Sequence, residues 1–376
     1  MADGFTRRFL LAGAAGGAAI ASSGAQAFAQ TMAAAEEPLL GPAQGVALLS
    51  RNENPFGPSP AARRAIADAG LKGAYYAGRA TMVLMDMIAE KNGLSRENIT
   101  LSAGSGEVLS ALAWAYASKG DTLGADLYWD TTAKFASNKG LNDIKRVPLK
   151  ADMSVDLAAM EAAVDDSIGL VQICNPNNPT SVMADAGELR EFTKRVSKKA
   201  TVLIDEAYIE ITDDPEGNSM VDLINEGYDV IVARTFSKIY GMAGIRMGYA
   251  MAAPETIEKL RSHTMSWTSG PALAASIASY NDEAFLEFSK SKLIEGRQMV
   301  METAKGLGLN VLPSQTSFCY VDVGMDADIV QKAMASKNIM IRGKYSEKYK
   351  NWSRVSMGFI ADVERYCNAL PEAVQA

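Results

Sequence analysis

Four stretches of this 376-residue chain end apolar runs in groups able to do chemistry. In Ala233-Arg234-Thr235-Phe236-Ser237-Lys238 a lysine follows a run of strand length. Ligands of open α/β sheets bind at the carboxyl ends of strands, and a neutral amine there can form a Schiff base with a carbonyl. Most lysines in such places are simply solvated. Eight residues on, Arg246 follows the glycine turn at 241–244. Its paired donors, with the hydroxyls of Thr235 and Ser237, suit a phosphate. Val202-Leu203-Ile204-Asp205-Glu206-Ala207-Tyr208 ends in an acid that is costly to bury without a cation, or that caps the next segment. Tyr208 could point into the same crevice and bond a phenolic oxygen. Cys174-Asn175-Pro176-Asn177-Asn178-Pro179-Thr180 is stiffened by its prolines, and a plain connecting turn explains it equally well. Leu101-Ser102-Ala103-Gly104-Ser105-Gly106-Glu107 reads as strand, small-residue turn and helix start, which brings free N–H groups and the helix dipole to an anion. It lacks the Gly-Lys-Ser/Thr of a nucleotide P-loop.

The elements that must position these groups alternate along the chain. Short apolar runs at 99–102, 168–174, 201–204, 230–233 and 246–251 predict strands, and amphipathic stretches at 107–118, 185–198 and 220–225 predict helices between them. Helices are also expected at 60–70, opened by Pro60 and stopped by Gly70, and at 81–92. Strands buried on both faces and separated by helices predict a mainly parallel α/β sheet. After about residue 270 the pattern changes to a long helix at 282–305, strands at 309–312, 317–323, 339–341 and 355–357, and helices at 327–336 and 361–374. This predicts a smaller α+β domain. The expected division is an export signal at 1–29, an N-terminal arm at 30–60 that joins the small domain, a large domain at 61–270 and a small domain at 271–376.

Composition narrows the function classes. With 48% hydrophobic residues and a net charge of −7, the chain is globular and a poor binder of nucleic acid. Three cysteines, far apart, make neither a disulfide framework nor a zinc site, and the one histidine leaves no multi-histidine metal site. His263 reads as surface structure, Cys174 as a small buried residue, and the methionines between 82 and 87 as core filler. Arg7-Arg8 before an Ala/Gly-rich run ending in Ala27-Phe28-Ala29 reads as a twin-arginine export leader. The alternative is an ordinary secretion signal. Its removal changes the net charge from −7 to −8, since Asp3 leaves with two arginines. No later stretch spans a bilayer, so the mature protein is expected to be soluble and periplasmic, or cytoplasmic if the leader does not function.

The order of a Gly/Ser turn, Asn-Pro, Asp-x-x-Tyr, Ser-Lys and then Arg resembles the fold-type-I pyridoxal-phosphate enzymes, class I/II aminotransferases, and within them the histidinol-phosphate aminotransferase branch. The resemblance runs from Leu49-Ser50-Arg51-Asn52-Glu53-Asn54-Pro55-Phe56-Gly57-Pro58 to Arg354-Val355-Ser356-Met357-Gly358. Its most specific piece is Ser237-Lys238-Ile239-Tyr240-Gly241-Met242-Ala243-Gly244-Ile245-Arg246. It implies a fold-type-I transferase that moves an amino group between an amino acid, or a histidinol-phosphate-like amine, and a 2-oxo acid. Lys238 would carry pyridoxal 5'-phosphate as an internal aldimine and act as base at the substrate's α-carbon. Asp205 would keep the pyridine nitrogen protonated, and Asn178 and Tyr208 would bond the phenolate oxygen. Ser105, Gly106, Ser237 and Arg246, with Thr235 nearby, would hold the phosphate. Tyr128 matches the aromatic that stacks on the ring, although Trp129 could take that place. Arg354 would clamp the substrate carboxylate, Arg342 matches an arginine that reads the substrate's phosphate in that branch, and Asn54 falls among the substrate-binding residues. Tyr75, or Tyr76, would reach the phosphate of a second subunit, which implies a homodimer with shared sites. The chain departs from the family where Ala74-Tyr75-Tyr76-Ala77 replaces Arg-Tyr-Pro-Asp, Ser181 replaces a glycine and Ser317 an asparagine. The same electron sink would also serve elimination, decarboxylation or oxidation, and a non-catalytic exported binding protein on this scaffold is the remaining alternative.

Overall fold

In the computed structural model, residues 38–265 and 267–375 are described; the proposed leader, with Arg7 and Arg8, lies outside them. The chain divides into an N-terminal unit, 1–47, whose described part is turns leading into a strand residue, and a unit spanning 48–376. The second unit contains a seven-stranded sheet made of β1 (Ile99–Ser102), β2 (Asp121–Ala125), β3 (Ile144–Val147), β4 (Ile168–Cys174), β5 (Thr201–Asp205), β6 (Val230–Thr235) and β7 (Gly248–Met251). Their spatial order is β1-β7-β6-β5-β4-β2-β3. Strands β2 to β6 pair in parallel, while β7 runs antiparallel to both its neighbours. Every residue of β4, β5 and β6 is buried, which is why these runs read as continuously apolar rather than alternating.

Register brings the chemistry together. Cys174 pairs with Asp205 and Asp205 with Ala233, so β4 and β5 end level with one another and β6 runs only two residues further, to Thr235. The loops that follow them therefore open side by side. The helix Ser105–Ala117 is fastened beneath this edge, with Val108, Leu109 and Leu112 packed among Leu203, Ile231 and Ala250. At roughly 1.5–3 kcal/mol for each large apolar side chain buried, this packing fixes where the helix N-terminus points.

A second sheet is antiparallel, in the order β10-β9-β8, from β8 (Asn310–Val311), β9 (Phe318–Asp322) and β10 (Trp352–Ser356). The helix Glu283–Gly306 precedes it, capped by the Asp282 side chain, which accepts from the N–H of Phe285. Arg354 sits within β10 opposite Tyr320, and Arg342 exchanges both backbone hydrogen bonds with Arg354.

Some boundaries differ from the sequence expectation. Two strands, β2 and β3, were not expected, because Asp-Thr-Leu-Gly-Ala and the sheet-edge run Ile-Lys-Arg-Val carry too few apolar residues to stand out. The strand expected at 246–251 begins at Gly248 instead, since Arg246 takes a left-handed φ of 63°. Strand β6 runs on to Thr235, and β10 begins at Trp352 rather than 355.

Candidate active site

A cavity of about 410 Å³ opens where these strand ends meet the second sheet. Lys238, three residues beyond β6, lines it. Its amine donates to the Asn52 carbonyl at 3.3 Å and lies 5.6 Å from the Tyr208 ring centre. Removal from water, and then the Arg354 charge, pull this amine down to about 8, so part of it is neutral near neutral pH. Asp205, 3% exposed, lines the same cavity. Burial raises it to about 6, against the pull of the Ala207 N–H and of Lys238. Its Oδ1 is buried with no hydrogen-bond partner among the described residues. Such an atom asks for a donor, and a protonated ring nitrogen is one.

The phenol of Tyr208 accepts from Asn52 Nδ2 at 2.9 Å and from Asn178 Nδ2 at 3.5 Å. Asn178 in turn accepts from Arg354 Nη1 at 2.7 Å, while Arg354 Nη2 donates to the Ser50 carbonyl at 2.7 Å. Arg354 Nε is buried without a partner among the described residues, and the guanidinium lies 5.3 Å from the Phe318 ring and 5.6 Å from that of Tyr345. One arginine thus keeps an unused donor beside the group that holds Tyr208.

The opposite end of the cavity is built for an anion. The helix Ser105–Ala117 starts after Gly104, whose φ is 76°, with no side-chain cap, so N–H groups of its first turn stay available to a ligand. A Cβ on Gly104 would run into the Arg246 guanidinium, so glycine is what lets the arginine approach this turn. Thr235 Oγ1 donates to Ser237 Oγ at 2.9 Å, and Arg246 Nη1 reaches Ser237 Oγ at 3.5 Å and the Ala243 carbonyl at 2.8 Å. Hydroxyls, a guanidinium and a helix N-terminus therefore converge.

Most of the residues singled out in the sequence meet here: Ser105, Gly106, Asn178, Asp205, Tyr208, Thr235, Ser237, Lys238, Arg246, Arg342 and Arg354 all line the cavity. Three do not. Tyr128 is buried, its ring over Gly124, where a Cβ would strike it, and 5.9 Å from Arg146. The cavity wall belongs to Trp129, whose carbonyl accepts from Gln172 Nε2 at 3.2 Å. Asn54 also turns away, giving its amide to the Ile239 carbonyl at 2.8 Å and to Ser289 Oγ at 2.6 Å, and so is corrected from a substrate ligand to a structural clamp. Its place is taken by Asn52, with a φ of 56°, the other asparagine of Asn52-Glu53-Asn54. Only that left-handed turn, which no run of residue types spells out, says which of the two faces inward. Tyr75 is 77% exposed and outside the cavity of its own chain. Tyr345, between Arg342 and Arg354 at 5.6 Å from each, lines the cavity and carried no signal in the sequence.

Residues 44–370 match the aminotransferase class I and II family. A histidinol-phosphate aminotransferase of Brevibacillus brevis is 33% identical over 329 residues, covering 87% of this chain and 90% of that protein. An aromatic amino acid aminotransferase of Cutibacterium acnes is 32% identical, covering 87% and 92% respectively. Among solved structures, histidinol-phosphate aminotransferase from Sinorhizobium meliloti in complex with pyridoxal-5'-phosphate superposes with a TM-score of 0.82 at 28% identity, covering 90% of this chain and 96% of that one. The bare Asp205 oxygen, the lysine beside it and the anion cradle fit that cofactor residue by residue. The chain belongs to the aminotransferase class I and II family, as a pyridoxal-phosphate-dependent enzyme acting on an amino acid and a 2-oxo acid.

Proposed function

We propose that transamination runs on Lys238 and Asp205 as the two poles of this cavity, with the donor held by Arg354 and Arg342. The observation that carries the assignment is the buried, partnerless oxygen of Asp205 on a wall it shares with Lys238. Pyridoxal phosphate supplies an aldehyde for the amino group and a protonated ring that draws electrons from the substrate's α-carbon. Asp205 keeps the proton on the ring nitrogen, and Asn178 and Tyr208 bond the ring oxygen. Ser105 and Gly106 N–H groups, Thr235, Ser237 and Arg246 would take the phosphate, and Trp129 is the aromatic on the cavity wall that would pack against the ring. Lys238 would hold the cofactor through its amine, and that amine, when free, would move the proton at the donor's α-carbon. Arg354 turns its unused N–H toward the donor's carboxylate. Arg342, whose guanidinium has no carboxylate partner among the described residues, reads a second anionic group, which accords with relatives named for histidinol phosphate.

Borohydride reduction followed by peptide mass analysis is expected to place the cofactor on Lys238; a label on any other lysine overturns the assignment. A panel of donors with 2-oxoglutarate, scored for glutamate, tests the reaction. Ammonia or carbon dioxide released without glutamate points instead to elimination or decarboxylation.

Two further readings concern assembly and address. Tyr75 serves the phosphate site of a second copy in a homodimer, helped by exposed apolar surface at Tyr76 and Trp267, whose rings lie 5.3 Å apart. Light scattering is expected to give twice the chain mass, and a monomer with full activity removes the reading. Arg7 and Arg8 direct export by the twin-arginine route, which moves folded, cofactor-loaded protein. Periplasmic yield that is unchanged by Arg7→Lys/Arg8→Lys counts against it.

A further inference from the structure

Asp205 and Lys238 face the cavity, but the residues next to their strand ends meet on the other side of the sheet. Glu206 follows Asp205 directly. Arg234 lies between Ala233 and Thr235, so its side chain leaves the face opposite to Thr235, which lines the cavity. The two form a buried ion pair at 2.9 Å, with Glu206 fully buried and Arg234 9% exposed. Arg234 Nη2 also donates to Ser219 Oγ at 2.7 Å and Nη1 to Asn92 Oδ1 at 3.1 Å; Glu206 accepts from Ser219 Oγ and from the Met220 N–H at 2.8 Å. None of these residues lines the cavity.

We propose that the Glu206–Arg234 pair is a positioning element for the reaction, tying the ends of β5 and β6 together and balancing charge behind Asp205 so that this carboxylate meets the cofactor ionised. The inference rests on Asp205 being the partner of the ring nitrogen. A buried pair of this kind is a weak source of net stability, because desolvation offsets most of its attraction. Its geometry points to another use. The backbone N–H of Glu206 bonds the Ala233 carbonyl at 2.8 Å, extending the β5–β6 ladder one step past Asp205. The side-chain pair then closes the same step from the far face, so neither strand end can shift without the other.

The charges near Asp205 make the effect readable. Lys238 faces it from the loop after β6, Glu206 from its own strand end, Cys174 from β4, and Tyr208 from the turn beyond. The pair itself is faced by Glu210, Tyr240, Tyr249 and Tyr280, and Lys91 stands against Glu210. Removing Arg234 alone leaves the Glu206 carboxylate uncompensated beside Asp205; removing Glu206 alone leaves a bare guanidinium. The two variants must therefore push Asp205 in opposite directions.

The test is the pH dependence of the Kd for pyridoxal phosphate binding to the apo-protein, whose acidic limb reports Asp205. Arg234→Met is expected to move that midpoint up by about one pH unit and Glu206→Gln to move it down by about as much, at an interior dielectric near 20. The double variant binds more weakly at every pH, because the tie is lost, yet keeps the wild-type midpoint within about 0.3 pH unit. Unmoved midpoints in both single variants, or a shift in the same direction, overturn the proposal. If the single variants do not fold, the doubly neutral variant decides: cofactor affinity lowered at every pH with the wild-type midpoint supports the proposal, and wild-type affinity, or a midpoint displaced by about a full unit, overturns it. Wild-type protein whose binding lacks any acidic limb disproves the Asp205 assignment itself, an outcome distinct from failure of the pair.

Discussion

The cavity has two walls of different construction. The wall made by the ends of β4, β5 and β6 comes from neighbouring strands of one sheet and is locked by backbone register, so that Asp205, Thr235, Ser237 and Lys238 take their places from the sheet and the loop directly after it. The other wall is assembled from segments far apart in the chain: Asn52 and Ser50 from the N-terminal side, Arg342, Tyr345 and Arg354 from the C-terminal side. Backbone bonds join Arg342 to Arg354 and Ser356 to Leu49, and side chains complete it, with Ser356 Oγ donating to Asn52 Oδ1 at 2.7 Å and Arg354 bonding Asn178 and Ser50. A register-locked wall suits chemistry that must not vary, whereas a side-chain wall can be retuned for a different donor without disturbing the sheet.

The first wall breaks most severely at its lysine. Lys238→Ala is expected to lower turnover by at least about 10³-fold, the upper part of the range for losing a positioned acid–base group, and to abolish borohydride trapping. Single-turnover absorbance checks both. The second wall breaks differently. Arg354→Ala should raise KM by about 10²-fold for donors bearing a carboxylate, as for loss of a charge-assisted hydrogen-bonded pair, and far less for an amine without one. Equal losses for both donor types would mean that Arg354 serves the ring through Asn178 rather than the substrate.

The same contrast explains how much of the site was legible in the sequence. Asp205 was visible because it directly follows a run that is apolar at every position, which only a sheet buried on both faces requires; Tyr208 and Lys238 lie just beyond the ends of such runs, and Arg246 was marked by the glycine turn before it. Asn52 was hidden next to Asn54 because a left-handed backbone, not residue type, decides which one faces inward. Tyr128 and Trp129 could not be separated for a similar reason, since adjacent aromatics leave a loop in opposite directions. Tyr345 had no signature at all, being placed by two arginines that stack on its ring.

Asp205 offers a test of what the locked wall costs. Its folded midpoint of about 6 is above the unfolded value, so the folded apo-protein binds a proton more readily than the unfolded chain between about pH 4 and 6, and stability falls as pH rises through that window. Above it the full penalty remains. Asp205→Asn should therefore stabilise the apo-protein at pH 7 by roughly 3 kcal/mol while impairing cofactor binding, and most of the gain should be gone at pH 4. Denaturant melts at the two pH values measure it; an equal gain at both points to packing instead of charge. Across from it, Trp129→Ala is expected to weaken cofactor affinity by about 10-fold, the scale of one lost aromatic stack, and Tyr128→Leu, which removes the other ring, to change it far less. The reverse ranking would return the stacking role to Tyr128.

The smallest effect lies where the two walls join. Ser181 follows the Asn-Pro turn of the first wall; its Oγ donates mainly to the Thr180 carbonyl and more weakly to the Pro313 carbonyl at 3.3 Å, while its own carbonyl accepts from the Gln315 N–H at 3.4 Å, on the approach to β9. Its φ of 66° puts a serine in the left-handed region, a conformation that costs a side-chain-bearing residue about 1–2 kcal/mol. Ser181→Gly relieves that strain but loosens the unfolded chain by about 0.5–1 kcal/mol and gives up a long hydrogen bond to Pro313. The terms nearly cancel, leaving an expected gain of no more than about 0.5 kcal/mol by denaturant melts, with KM unchanged. A clear loss of stability together with a raised KM for carboxylate donors would mean that the Ser181–Pro313 contact helps hold the second wall against the first.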